Sequence, residues 1–464
     1  AGEERRATSL SFYRSSEGFR PSDRLPEGTV IPEPISVMAL LDSADYALPD
    51  TADFEIRDYR VRFSPEAIGR PTIGAEVGGY YGNGLYGGSY IWLSDMLGNH
   101  NIFLAGSVSG TFSDAVVFAG YENLKTRANY GFSVSQIPFY SYAGPFYGFD
   151  HPAGPKDELV YVDQFVRDLY RQVEGVVRYP FSTFRRLEFG ATAAIIRRDL
   201  VLRGESLTTG RLVNVDQYIR DWKYIQPSAA LVFDNTTWGW ISPIDGRRYR
   251  LQVARTVGDF NYNEGLVDFR NYLNFKQRAV LATQVLLLTR FGEGSGHFYY
   301  YWGGPYFLRG YDATSFEGPN ECGRNRSYGT CPVRDQLIGT SAALFRSELR
   351  FPVITELQVG FLGNFPPVDA VLFFDAGLAW NDQVCIDNGM PVFDSRSCPN
   401  AQDIKLVWRR EPGQNPLYYR EPLYSYGVGL RAFIFFGVLR LDYAFPRSRP
   451  DKSGVFSVSF GPSF

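Results

Sequence analysis

The chain has 464 residues, 44% of them hydrophobic and 21% charged, with a formal net charge of −3. That balance gives no electrostatic footprint for nucleic acid, and a 16% aromatic content (31 Tyr, 37 Phe, 7 Trp) excludes a disordered or low-complexity chain. No apolar run approaches the roughly 18 residues of a membrane helix, so any passage through a membrane must be made by strands.

Residues 1–70 are rich in charge and proline (Pro21, Pro26, Pro32, Pro34, Pro49), with one short apolar patch at Val37–Leu41. They read as a linker, a luminal plug or a periplasmic segment, too short and irregular for a substantial domain. The start, Ala1-Gly-Glu-Glu-Arg-Arg, lacks the apolar core of a secretory leader. It reads as a mature N-terminus or a cut in a longer protein.

From residue 71 onward the dominant signal is alternation with period two. Leu187, Phe189, Ala191, Ala193 and Ile195 oppose Glu188, Gly190, Thr192 and Ala194. Phe456, Val458 and Phe460 alternate with Ser457, Ser459 and Gly461. Successive strand side chains point to opposite faces, so each such segment has one apolar and one polar face. Strands are expected at 71–80, 86–94, 101–110, 114–124, 129–139, 168–180, 185–197 and 223–235. Further ones are expected at 247–258, 266–276, 278–290, 340–352, 368–380, 423–434, 437–446 and 454–464.

That is about 16 strands, an even number, each near the ten residues of a tilted membrane-spanning strand. Short connections (95–100, 125–128, 181–184, 277, 435–436) largely alternate with long ones (140–167, 198–222, 291–339, 381–422), as periplasmic turns and extracellular loops do. Aromatics gather near strand ends, at Tyr80, Tyr81, Phe139, Tyr140, Tyr142, Trp380 and Tyr424, where an interfacial girdle sits. A soluble sandwich also alternates, but its strands are shorter and lack long aromatic loops. The expected fold is all-β: a transmembrane antiparallel β-barrel over 71–464, with Phe464 at the periplasmic end.

Chemistry-bearing motifs are few. Gly82-Asn-Gly84-Leu-Tyr-Gly87 matches G-x-G-x-x-G literally, but no helix follows. Asn83-Gly84 reads instead as a hairpin turn. Three histidines (His100, His151, His297) offer little for a metal centre, and Asp150, Asp157 and Glu158 read as solvated loop charge rather than a calcium site. No catalytic arrangement stands out, so neither an enzyme, a cofactor nor a metal is expected. The cysteines form two close pairs, Cys322 with Cys331 and Cys385 with Cys398. Local pairing is expected, both pairs in extracellular loops, and two disulfides imply an oxidising compartment.

The informative constellation lies in the long connection 291–339, at Trp302-Gly-Gly-Pro-Tyr-Phe-Leu308-Arg309-Gly310-Tyr311. Glu348 and Asp375 fall on the polar faces of two consecutive strands, where a guanidinium can bridge them through its planar fork. Arg346, Arg350, Arg431 and Arg440 are competing partners, and spacing alone leaves the choice open.

Leu308-Arg309-Gly310-Tyr311 resembles the loop motif of the BamA/TamA and two-partner-secretion superfamily, the bacterial surface antigens. Ser347–Pro352, Phe373–Gly377, Leu441-Asp442-Tyr443-Ala444 and Phe464 match that family in order and at similar spacing. Asp234-Asn235 leading to Pro243 and Gly246 resembles its mid-barrel turn. The resemblance is specific over about 290–464 and weaker over 71–290. It implies an extracellular loop folded into the lumen, with Arg309 and Gly310 docked on Glu348 and Asp375. It also implies the bacterial outer membrane as location, and insertion of proteins into that membrane or translocation of polypeptide across it. The implied mechanism uses a weak seam between the first and last strands, and Gly74, Gly78, Gly79 and Pro462 would weaken it.

Implied partners are outer-membrane lipid, periplasmic or surface protein subunits and a polypeptide client. The family normally carries periplasmic POTRA modules before the barrel, and residues 1–70 show no such pattern. The stretch from Ser43–Ser64 to the Leu93–Gly98 turn more resembles barrels fused after a TolB-like propeller. The alternative reading is therefore a non-transporting anchor or scaffold for a propeller or a surface complex.

Overall fold

The computed structural model describes residues 58–464 apart from 70–71, 80–81, 111–113, 150, 152–153, 277, 298, 317, 323–330, 355–356, 360–362, 366, 382, 388–389, 393–401, 435–436 and 462–463. The chain divides into units 1–60 and 61–464. The second is built on one large antiparallel sheet.

Its strands in chain order are β1 (Phe63–Ile68), β2 (Thr72–Gly79), β3 (Gly82–Asp95), β4 (His100–Gly110), β5 (Val116–Asn123) and β6 (Asn129–Phe149). There follow β7 (Leu159–Pro180), β8 (Arg185–Ser206), β9 (Leu212–Asp234), β10 (Pro243–Gly258), β11 (Asn261–Phe275) and β12 (Ala279–Glu293). The last are β13 (Ser341–Ile354), β14 (Val368–Trp380), β15 (Leu423–Ile434), β16 (Gly437–Pro446) and β17 (Val455–Phe460). Each strand from β3 onward pairs with the next.

β1 and β2 both lie along β3 and act as one interrupted strand. The ladder thus begins at Phe63, ahead of the boundary drawn from the sequence at residue 71. Counted that way, and leaving aside the two-residue strand Thr237–Trp238 that pairs with the start of β10, the ladder has sixteen positions among the described residues. No register joins β17 to β1 or β2 among those residues.

Two sequence expectations are corrected. β6, β7, β8 and β9 run for 21, 22, 22 and 23 residues, about twice what a membrane crossing needs. Much of 140–167 and 198–222, expected as loops, is therefore ladder-paired strand. Paired backbone satisfies its own N–H and C=O groups in water as well as in lipid, so the ladder need not stop at the interface. The second correction concerns Asn83-Gly84. Both lie inside β3, whose first residue Gly82 pairs with Gly79 of β2.

The sheet is inside out relative to a water-soluble protein. In β14, Leu372 and Phe374 are 50% and 41% exposed, while Asp375 between them and Ala376 is fully buried. In β15, Tyr424, Tyr426, Val428 and Leu430 are exposed and Arg431 is buried. In β13, Phe345 is exposed while Arg346, Glu348 and Arg350 are buried. A continuous exposed apolar face of this size is costly in water and is matched by hydrocarbon. No helix among the described residues is long and apolar enough to span a membrane.

Candidate functional site

The connection between β12 and β13 folds onto the charged face of the sheet. Backbone bonds shape its tip: Gly304 N–H donates to Leu308 O at 2.9 Å, and Trp302 N–H to Leu337 O at 2.9 Å. Gly310 has φ +83°, and a Cβ there would stand 3.0 Å from the Cβ of Ala444. Only glycine meets both demands, the left-handed backbone and the close approach to β16. Tyr311 donates its hydroxyl to Tyr424 O at 2.8 Å. Leu308, Tyr311, Phe316, Leu337 and Leu423 pack with the Cys322–Cys331 disulfide into a buried apolar cluster. The side chains of the other expected pair, Cys385 and Cys398, lie outside the described residues.

This frame presents Arg309, which is fully buried. Its Nε and Nη2 donate to the two oxygens of Asp375, each at 2.6 Å, and its Nη1 donates to Glu348 Oε1 at 2.6 Å. The guanidinium carbon stands 3.7 Å above the centre of the Phe373 ring. Strand register explains the convergence. Glu348 opposes Phe373 and Arg346 opposes Asp375, so the two acids occupy neighbouring rungs of one face. The structure thus brings Arg309, Gly310, Glu348 and Asp375 together, and the acids choose Arg309 over the competing cations for the fork.

Those cations are nonetheless in the network. Glu348 also accepts from Arg350 Nε at 2.9 Å and from Arg431 Nη2 at 3.4 Å. Arg431 donates to Asp442 Oδ1 at 2.7 Å. Asp442 was assigned no role from sequence, although its alternation on β16 already places it on the polar face. Arg346 Nη1 donates to Tyr306 O at 2.8 Å, and Arg440 Nη2 to Pro305 O at 2.9 Å. Two arginines from the wall therefore hold the loop by its backbone. Arg350 donates to Phe464 O at 2.8 Å, and the Arg346 guanidinium lies 4.5 Å from the centre of the Phe464 ring. Phe464 itself is buried against Tyr272, Val280 and Ala282.

A second clasp sits after β16. Arg449 gives both Nε and Nη2 to Glu321, at 2.7 and 2.8 Å. Its remaining donors go to Gly310 O, Ser315 Oγ and Ser315 O. All five guanidinium N–H groups are thereby used. Sequence reasoning missed this pair, because neither Arg449 nor Glu321 falls in an alternating segment.

Among the described residues no group of acids, histidines or cysteines could hold a metal ion. The arrangement is an internal lock made of charge-assisted hydrogen bonds.

Residues 207–464 match the Omp85 superfamily domain. No curated protein matches the chain. Among solved structures it is similar to BamA from Haemophilus ducreyi lacking POTRA domains 1-3, at 17% identity and a TM-score of 0.50, covering 86% of this chain and 71% of that one. It is also similar to CdiB from Acinetobacter baumannii (11% identity, TM-score 0.40, 81% of this chain) and CdiB from Escherichia coli (12%, 0.45, 87%). The chain spans 56% and 63% of the length of those two CdiB structures. With the family match over more than half its length, the chain belongs to the Omp85 superfamily and is a β-barrel protein of the bacterial outer membrane.

Proposed function

We propose that the chain inserts proteins into the outer membrane or moves polypeptide across it. The observation that carries this reading is the buried Arg309 fork on Glu348 and Asp375, in a chain of the Omp85 superfamily. A passive pore has no need to fill its lumen with a loop held by buried ion pairs. Such pairs are expensive to assemble and are kept where they fix one conformation against another. Docked, the loop braces β13–β16, the wall next to the last strand. The first strand carries Gly74, Gly78 and Gly79 in β2, and glycine weakens a strand by conformational entropy. A braced wall next to the last strand, together with a weak first strand, supports a seam that opens to a polypeptide.

The test is reconstitution of the full chain into liposomes with an unfolded outer-membrane barrel client, read by protease protection. Client protection that rises with the amount of chain supports insertion. Depletion from the native cell adds the second readout. Unchanged outer-membrane and surface proteins, together with loss of a co-purifying assembly, would replace this reading with that of an anchor.

A further inference from the structure

The apolar face carries a recess of about 780 Å³ over β6–β10. Val134, Val173, Ile195, Ile225 and Val257 line it, and each is 42–58% exposed. The hollow has a simple origin in the ladder. Val173, Ala193 and Ile225 form one rung, and Gly175, Ala191 and Pro227 form the next, so small residues alternate with larger ones.

The opposite margin is cationic. Arg171, Ile195 and Lys223 make the rung directly above, and both cations are exposed. Arg171 Nε donates to Gln136 Oε1 at 2.9 Å, which fixes the guanidinium at the edge of the recess. Asp259 accepts the Lys223 backbone N–H at 2.6 Å, but among the described residues neither the Arg171 nor the Lys223 side chain forms an ion pair, and the rung keeps a net positive charge. One rung higher, Arg197 opposes Asp221 and donates to Asp199 at 2.9 Å, so that rung is balanced in charge.

Height then decides what these groups meet. Arg171 stands about ten residues above the Phe181–Phe184 turn, roughly 25 Å for a tilted strand, which is the height of a barrel's lipid-facing band. The cations therefore lie at the outer-leaflet headgroups, and the recess lies beside the acyl chains below them. A zwitterionic lipid carries its own ammonium beside its phosphate and leaves the net positive charge of this margin unanswered. A lipid whose phosphate has no cation of its own answers it.

We propose that this recess is a binding site for one net-anionic, phosphate-bearing amphiphile of the outer leaflet, with an acyl chain against Val173 and Ile225 and its phosphate between Arg171 and Lys223. The site lies on the outer face and is independent of the loop lock.

Native mass spectrometry of the detergent-purified full chain, titrated with diphosphoryl lipid A, tests this. One adduct should form well before any others. The paired change Arg171→Ala with Lys223→Ala should weaken it about thirtyfold, the screened attraction of two cations near a membrane surface. Val173→Trp with Ala193→Trp fills the hollow while keeping both cations, and should also abolish the preferred adduct. Heat-modifiable gel migration confirms that each variant is still a folded barrel. Equal binding of dephosphorylated lipid A would overturn the phosphate contact, and equal binding of zwitterionic phosphatidylethanolamine would overturn the preference for net negative charge. Displacement of the lipid by millimolar inorganic phosphate alone would remove the amphiphile from the proposal. An unchanged adduct in either double variant would end it.

Discussion

Asp375 grips Arg309 as a fork, taking Nε and Nη2 on separate oxygens at 2.6 Å each, and so fixes the plane of the guanidinium as well as its position. Glu348 receives only one donor from Arg309 but is the meeting point of three arginines, Arg309, Arg350 and Arg431. The two acids therefore do different work. Asp375 orients the loop arginine, and Glu348 neutralises the wall. All five participants are fully or almost fully buried, so each ion pair acts with little screening.

Arg309→Ala should undock the loop tip without dissolving the sheet. Leaving Glu348 and Asp375 short of a cation costs about 3–5 kcal/mol for truly buried groups. The strand ladder does not include Arg309, so heat-modifiable migration should persist. Planar-bilayer conductance should rise, and the 303–311 segment should become accessible to protease. Arg309→Lys should behave more like alanine than like arginine, because an ammonium cannot form the fork. Wild-type conductance and loop protection in Arg309→Ala would show that the remaining contacts, at the Pro305, Tyr306 and Gly310 carbonyls and from Tyr311 to Tyr424, hold the loop without the fork.

Glu348→Gln and Asp375→Asn should separate the two jobs. Glu348→Gln leaves Arg350 and Arg431 poorly compensated and should lower the yield of folded barrel. Asp375→Asn keeps an acceptor for one arm of the fork and should chiefly loosen the loop, raising conductance at near-normal yield. Yield and conductance measured on both variants check this. The reverse ranking would mean that Asp375, rather than Glu348, carries the balance of charge.

Legibility in the sequence followed how local each determinant was. Alternation placed Glu348 and Asp375 on one face because side-chain direction is set residue by residue, and the observed register agrees. The choice of Arg309 among five arginines needed the family resemblance, since every one of them lies on or near the same face. Arg449 and Glu321 are 128 residues apart in loops, where no period exists to read. The long strands β6–β9 were cut short for a different reason. Membrane thickness sets only a minimum strand length, and Val160, Val162, Leu202 and Val213 form their own buried cluster in the outer parts of β7–β9. That cluster gives the extension a core independent of lipid.

The cysteine pairs yield a third prediction. The Cys322–Cys331 bond joins residues 9 apart in sequence and is worth about 2–3 kcal/mol in the chain-entropy account. Cys322→Ser should leave membrane assembly intact and raise proteolysis across 317–330. Non-reducing peptide mapping should find Cys322–Cys331 and also Cys385–Cys398. Free thiols, or a bond between the two loops, would contradict the local pairing.

Arg449 gives the last prediction, and it separates the two locks. Its guanidinium joins Glu321 to the Gly310 carbonyl, so it ties the disulfide-closed part of the loop to the residue beside Arg309. It also lies 3.9 Å from the centre of the Phe316 ring, and all five donors are satisfied. Arg449→Ala leaves Glu321 buried without its partner, a loss of about 3–5 kcal/mol by the same reasoning as for Arg309. Arg449→Lys can restore one charge contact but not the simultaneous hold on Ser315 and Gly310. If the clasps are coupled through Gly310, Arg449→Ala combined with Arg309→Ala should cost less than the two single changes added together. A double-mutant cycle on the loop's protease-opening equilibrium measures that difference directly. A coupling energy near zero would make Arg449 a lock on the outer cap alone, with the Arg309 fork closing independently beneath it.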